Sequence, residues 1–160
     1  MSVYIPLLKN KNIDYLALGH YHSFSEGEID ERGKYLYSGC LDGRGFDETG
    51  TKGFILLEID GKDAEYQFIN FSSRELFEFN YNLSNDADWI SAKNSIIEQL
   101  NKNYKQSDLI KVVIKGERSA DFEVDKEGLD KRLNEQFFFA KVYDETELKI
   151  NINDYSFLDT

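Results

Sequence analysis

The patterning of this chain changes at Ser72-Ser73, and that change constrains the fold more than any other feature. Before it, short apolar runs are broken by glycine-bearing turns; after it, an alternating stretch gives way to apolar residues at helical spacing. A strand repeats its buried side every two residues and a helix every ~3.6, so the two halves call for different local structure. The expected class is α+β, with residues 1–74 rich in strand and residues 75–160 forming a small mixed sheet with two helices.

The first half supplies its own punctuation. Residues 1–9, with Val3, Ile5, Leu7 and Leu8 apolar, predict the frayed tail of a helix, and residues 13–18 a short buried strand that stops at Gly19. Residues 27–30 and 34–38 flank Glu31-Arg32-Gly33, and residues 54–59 and 64–71 flank Asp60-Gly61, so two hairpins are expected. Between them, "GCLDGRGFDETGTKG", residues 39–53, has five glycines in fifteen positions and predicts a long structured loop. In the second half, Phe77, Phe79, Tyr81 and Leu83 alternate with polar residues as in a half-buried strand. Asn85-Asp86 is placed to cap a helix through Trp89, Ala92, Ile96, Ile97, Leu100 and Tyr104. A strand over 109–115, a second helix over about 126–135 and at least one more strand within 137–152 complete the pattern.

At 160 residues and 41% hydrophobic, the chain has the length and composition to bury a core. It shows neither a signal-peptide pattern nor an apolar run of the ~18 residues that a membrane span needs, and the expectation is a soluble cytoplasmic protein without a membrane partner. The formal charge of -11 disfavours a general nucleic-acid binder. The acidity is spread out, with 8 basic against 12 acidic residues in 1–74 (net -4) and 11 against 18 in 75–160 (net -7). Any DNA held here needs positive charge from elsewhere. The single cysteine, Cys40, excludes an internal disulfide and a Cys-rich zinc cluster; it is either a small hydrophobe or a nucleophile.

The chain's two histidines lie together in "LALGHYHSF", residues 16–24. His20 and His22 are two apart, so in an extended backbone both rings leave the same face, and neutral imidazole is a good ligand for Zn, Mn or Fe. Spacing alone also allows two polar residues at a strand end, hydrogen-bonded to backbone.

The residues that follow extend the pattern. Gly19-His20-Tyr21-His22, Tyr37-Ser38-Gly39-Cys40, Phe46-Asp47-Glu48 and Lys52-Gly53 occur in the order and spacing found at the end of the catalytic domain of calcineurin-like metallophosphoesterases. The chain resembles their DNA-repair exonuclease branch, which includes the bacterial SbcD-type nucleases; Cys40 stands where that pattern usually has Ser. The resemblance covers residues 13–59. It implies that 1–74 is the C-terminal remnant of the phosphoesterase sandwich and that 75–160 is the capping domain that follows it.

By that resemblance, His20 and His22 would each ligate one ion of a two-metal centre, usually manganese. Two such cations bridge a phosphodiester, generate hydroxide and stabilise charge on the attacked phosphorus. Arg44 and the backbone at Gly39 and Gly43 would be placed to contact the phosphate, although Arg44 is equally compatible with a solvated loop. The family's other ligands come from earlier Asp-x-His, Gly-Asp and Gly-Asn-His motifs and one further lone His, and this sequence contains neither a third histidine nor a Gly-Asn dipeptide. The expectation is therefore the C-terminal piece of a metal-dependent DNA exonuclease or phosphodiesterase, inactive by itself, with no complete catalytic set and at most weak metal binding. Its parent would act on DNA with a coiled-coil ATPase of the SbcC type. A sandwich remnant should also expose an apolar face, with Ile13, Leu16, Leu18, Phe54, Leu56 and Ile59 as candidates, leading to self-association or to cover by residues 1–9. Two other readings stay open: a non-catalytic protein-interaction module with an acidic surface, and a fragment of a metallophosphatase acting on small phosphoesters.

Overall fold

The computed structural model describes residues 3–61, 63–83, 86 and 88–149. Two units divide between Leu76 and Phe77. In the first, Pro6, sixth of the nine residues of the expected helix tail, leaves only a 3-10 turn, Ile5–Leu8, that buries none of its residues. Proline fixes its own φ but clashes with the preceding turn, so an α-helix cannot run through it. Tyr4 and Leu7 are exposed, while Ile5 and Leu8 are half-buried.

Strands β1 (Tyr15–Leu18), β2 (Ser25–Glu28) and β3 (Lys34–Tyr37) form one mixed sheet in the order β1-β3-β2. β3 runs parallel to β1, pairing Leu18 with Tyr37, and antiparallel to β2, pairing Ser25 with Tyr37. The turn between β2 and β3 is built by Asp30, whose carboxylate accepts the backbone N–H groups of Asn10, Arg32 and Gly33 at 2.8, 3.0 and 2.9 Å. These donors hold its pKa below the ordinary aspartate value, the Asn10 N–H most strongly. Asp-Gly at residues 60 and 61 closes the second hairpin as expected: β4 (Gly53–Asp60) pairs with β5 (Asp63–Asn70) in the register Asp60↔Asp63. None of the six residues expected on the apolar face is buried, and Leu56 and Ile59 are exposed outright.

The second unit has the larger core. β6 (Leu76–Asn82), β7 (Leu109–Lys115) and β9 (Phe139–Asp144) form a sheet in the order β6-β7-β9. Helices α1 (Trp89–Asn103) and α2 (Lys126–Asn134) supply Ala92, Ile96, Leu100, Leu129 and Leu133 to a cluster with Ile110, Val112, Ile114, Ala140 and Val142. Successive residues of a strand face opposite sides, so the even-numbered residues of β7 meet the helices together. The cap of α1 falls at Asp88, whose carboxylate accepts the Ser91 N–H at 2.7 Å, and not at Asn85-Asp86. Asp86 instead accepts the Tyr81 hydroxyl at 3.0 Å, and Asn85 lies outside the described residues. β7 and β9 are parallel, which requires the crossover through α2.

α2 also closes the outer edge of β9. Asn134 accepts the Ala140 N–H at 3.0 Å and donates to the Ala140 carbonyl at 2.8 Å, while Asp130, one turn earlier, accepts the Val142 N–H at 2.6 Å. These two side chains take the place of a further strand, satisfying groups that an open edge would expose. The short β8 (Glu117–Arg118) and β10 (Glu147–Leu148) pair in parallel. The fold is thus α+β, with mixed sheets and two helices, and among the described residues no helix is long and apolar enough to cross a membrane.

Candidate functional site

β1 ends at Leu18 and the chain leaves the sheet through Gly19 to the histidine pair. His20 has φ of +81°, a left-handed conformation that costs a non-glycine residue roughly 1–2 kcal/mol. The backbone at His20 is therefore not extended, so the strand alternation on which a shared ring face depends is not present there. Asn10 and Asn12, before β1, share this region at φ of +59° and +58°. The His20 ring lies 5.9 Å from that of Tyr21, which in turn packs edge-on against Tyr37 at 4.9 Å.

His22 is held at both ends. Its Nδ1 is paired with the Glu48 carboxylate. Its backbone carbonyl accepts from Lys52 Nζ at 3.1 Å and from Cys40 Sγ at 3.3 Å. Glu48 is fixed in turn, since Oε2 accepts the Arg44 N–H at 2.9 Å and lies 4.0 Å from Cys40 Sγ. The Arg44 N–H, followed by the bond to His22, holds the Glu48 carboxyl below the usual glutamate range, with the Lys52 charge adding to this. Lys52 is only 3% exposed. Its ammonium is thus spent inside the loop, on the carbonyl of a candidate ligand.

The glycine-rich loop is shaped for close approach. Gly39 has φ of +78°, and a Cβ there would come within 3.0 Å of the Phe24 nitrogen and 3.1 Å of the His22 carbonyl oxygen. At Gly43 a Cβ would meet the Glu48 carbonyl oxygen at 2.9 Å. Both glycines let the loop press against the segments carrying His22 and Glu48, which gives each a packing role beside the phosphate contact expected from the resemblance. Arg44 is exposed; its backbone N–H, not its guanidinium, is what the structure engages in this cluster. Cys40, half-buried, uses its thiol as a donor to the His22 carbonyl.

The donor chemistry fits a borderline divalent cation at His22, whose other ring nitrogen rests on a carboxylate as metal-bound imidazoles commonly do. The number of donors does not reach a full shell, because among the described residues no three His, Cys, Asp or Glu side chains come together as a metal-binding group. The sequence singled out His20, His22, Gly39, Gly43 and Arg44. It missed that Glu48 and Lys52, noted only as parts of the motif order, are the residues that hold His22. Compared with protein-family models and with curated proteins, the chain matches none.

Proposed function

We propose that residues 13–59 are the closing segment of a two-metal phosphoesterase site in a DNA-repair exonuclease or phosphodiesterase of the calcineurin-like type. On this reading the first unit belongs to the phosphoesterase sandwich and the second is the capping domain that shapes the DNA cleft. His20 and His22 would each hold one divalent ion, manganese for preference, and the remaining ligands would come from residues outside this sequence. The ions would supply a metal-bound nucleophile and charge neutralisation at the phosphorus. The chain's own part is to present the imidazoles and, through Arg44, a cation for the phosphate. DNA and a coiled-coil ATPase of the SbcC type are the partners that follow from it.

One observation supports this reading above the others: the separated motif pieces meet around one histidine. Glu48 of the Phe-x-Glu element, Lys52 of Lys-Gly and Cys40 of the Tyr-x-Gly stretch all contact His22. A carboxylate on the second ring nitrogen is the support that metal-ligating imidazoles commonly have. The test is to read the coding sequence upstream of Met1. In-frame Asp-x-His and Gly-Asn-His motifs are expected, and their absence would favour a non-catalytic interaction module.

A further inference from the structure

We infer that Glu48 is a positioning residue that fixes His22 as the Nδ1–H tautomer and thereby offers Nε2 as the donor toward a divalent cation. This deepens the metal reading above and rests on it. An ionised carboxylate only accepts hydrogen bonds, so the ring nitrogen that faces it must carry the hydrogen. In a neutral imidazole the second nitrogen is then left with a bare lone pair, the form a cation requires. The surroundings leave Glu48 little freedom to do otherwise. Its Oε1 meets His22 Nδ1 while its Oε2 is occupied by the Arg44 N–H at 2.9 Å. The Glu48 side chain is 12% exposed and that of His22 57%, so the anchor sits beneath a ring that a cation can reach. Lys52 and Cys40 fix the same residue at its carbonyl, so backbone and ring are located independently.

Glu48→Gln separates positioning from mere packing because it changes the chemistry while keeping the shape. A carboxamide has one acceptor oxygen and one donor nitrogen. If the oxygen stays on the Arg44 N–H, the amide nitrogen faces His22 Nδ1 and favours a bare Nδ1, moving the ring hydrogen to Nε2 and blocking the donor. Long-range 1H–15N spectra of the full chain, at a pH where the ring is neutral, report the tautomer directly. The expected result is Nδ1–H in the wild type and a shift toward Nε2–H in Glu48→Gln. Titration with Mn2+ alone, read as paramagnetic broadening of the ring protons, is expected to need about 10–100-fold more metal at His22 in the variant.

An Nε2–H tautomer in the wild type overturns the proposal and needs no variant to do so. Equal broadening of His22 in both proteins overturns the positioning role and leaves the metal reading standing. Expected tautomers with no broadening of the wild-type His22 ring at any Mn2+ concentration overturn the donor role of Nε2, whereas the two-metal reading, whose other ligands lie outside this sequence, falls only if the extended protein is indifferent to His22.

Discussion

Lys52 offers the sharpest perturbation of the candidate site. Its side chain is almost wholly buried, and its ammonium donates to the His22 carbonyl at 3.1 Å. Two effects oppose one another when it is replaced. Losing a hydrogen bond from a charged donor costs ~1.5–3 kcal/mol, whereas removing a buried ammonium returns part of its desolvation penalty. Among the described residues, the His22 carbonyl then keeps the weaker thiol donor of Cys40 at 3.3 Å. Lys52→Met, which preserves an unbranched apolar stem, should therefore destabilise the first unit by about 1 kcal/mol. Lys52→Ala also removes three buried methylenes at ~0.8 kcal/mol each, bringing the loss to about 3 kcal/mol. Native-state hydrogen exchange at the β3 amides reads this unit separately, with β7 amides reporting the other. Protection should fall about fivefold for Lys52→Met and more than ~100-fold for Lys52→Ala, at tenfold per 1.4 kcal/mol. A Lys52→Met protein as protected as the wild type, with unchanged His22 ring shifts, would refute the ammonium as the tie. Equal loss in both variants would refute burial of the stem.

Other tests address the second unit. Asn134→Ala should cost ~1–3 kcal/mol, because the Ala140 N–H and carbonyl lose a side-chain partner that serves both at the edge of β9, and urea unfolding followed by Trp89 fluorescence will show it. An unchanged midpoint would mean that water replaces Asn134 without loss. Leu100→Ala, in the fully buried core, should cost about 2.7–5.0 kcal/mol by the same measurement, and a loss below 1.4 kcal/mol, a tenfold change, would contradict the packing described. The Ser91 N–H, and secondarily its hydroxyl, hold the Asp88 carboxyl below its ordinary value. Asp88 thus adds stability above the unfolded aspartate pKa of ~3.9, and this is lost as pH falls through the lower folded value. The Ser91 amide shift should titrate with a midpoint below ~3.9 and cease to do so in Asp88→Asn; a midpoint at or above ~3.9 would contradict the cap.

Much of the second unit was legible because its signals are local. The apolar run of β7 begins and ends at Leu109–Lys115 as its pattern indicates, and the Ala92, Ile96, Leu100 spacing locates the body of α1. The cap was misplaced because acidic residues at 86 and 88 compete, and only tertiary contact assigns Asp86 to the Tyr81 hydroxyl. At the other end, the apolar spacing of residues 1–9 takes no account of Pro6, whose ring decides the local backbone. The candidate site was legible as a set of residue types and not as an arrangement. Glu48 lies 26 positions from His22 and Lys52 30, and no local periodicity carries contacts of that range. The left-handed backbone at His20 is equally silent, because a histidine carries no bias strong enough to announce it.

Mn2+-dependent cleavage of DNA, measured on this chain and on the chain extended by its upstream coding sequence, tests the two-metal site. The chain alone is expected to be inactive, and the extended protein active. His20→Ala and His22→Ala should each lower that activity by more than the ~10–100-fold that changes to outer-shell partners cost. Cleavage by the chain alone that disappears in the two variants would contradict the incomplete ligand set. An extended protein whose cleavage is indifferent to both histidines would contradict the two-metal site itself.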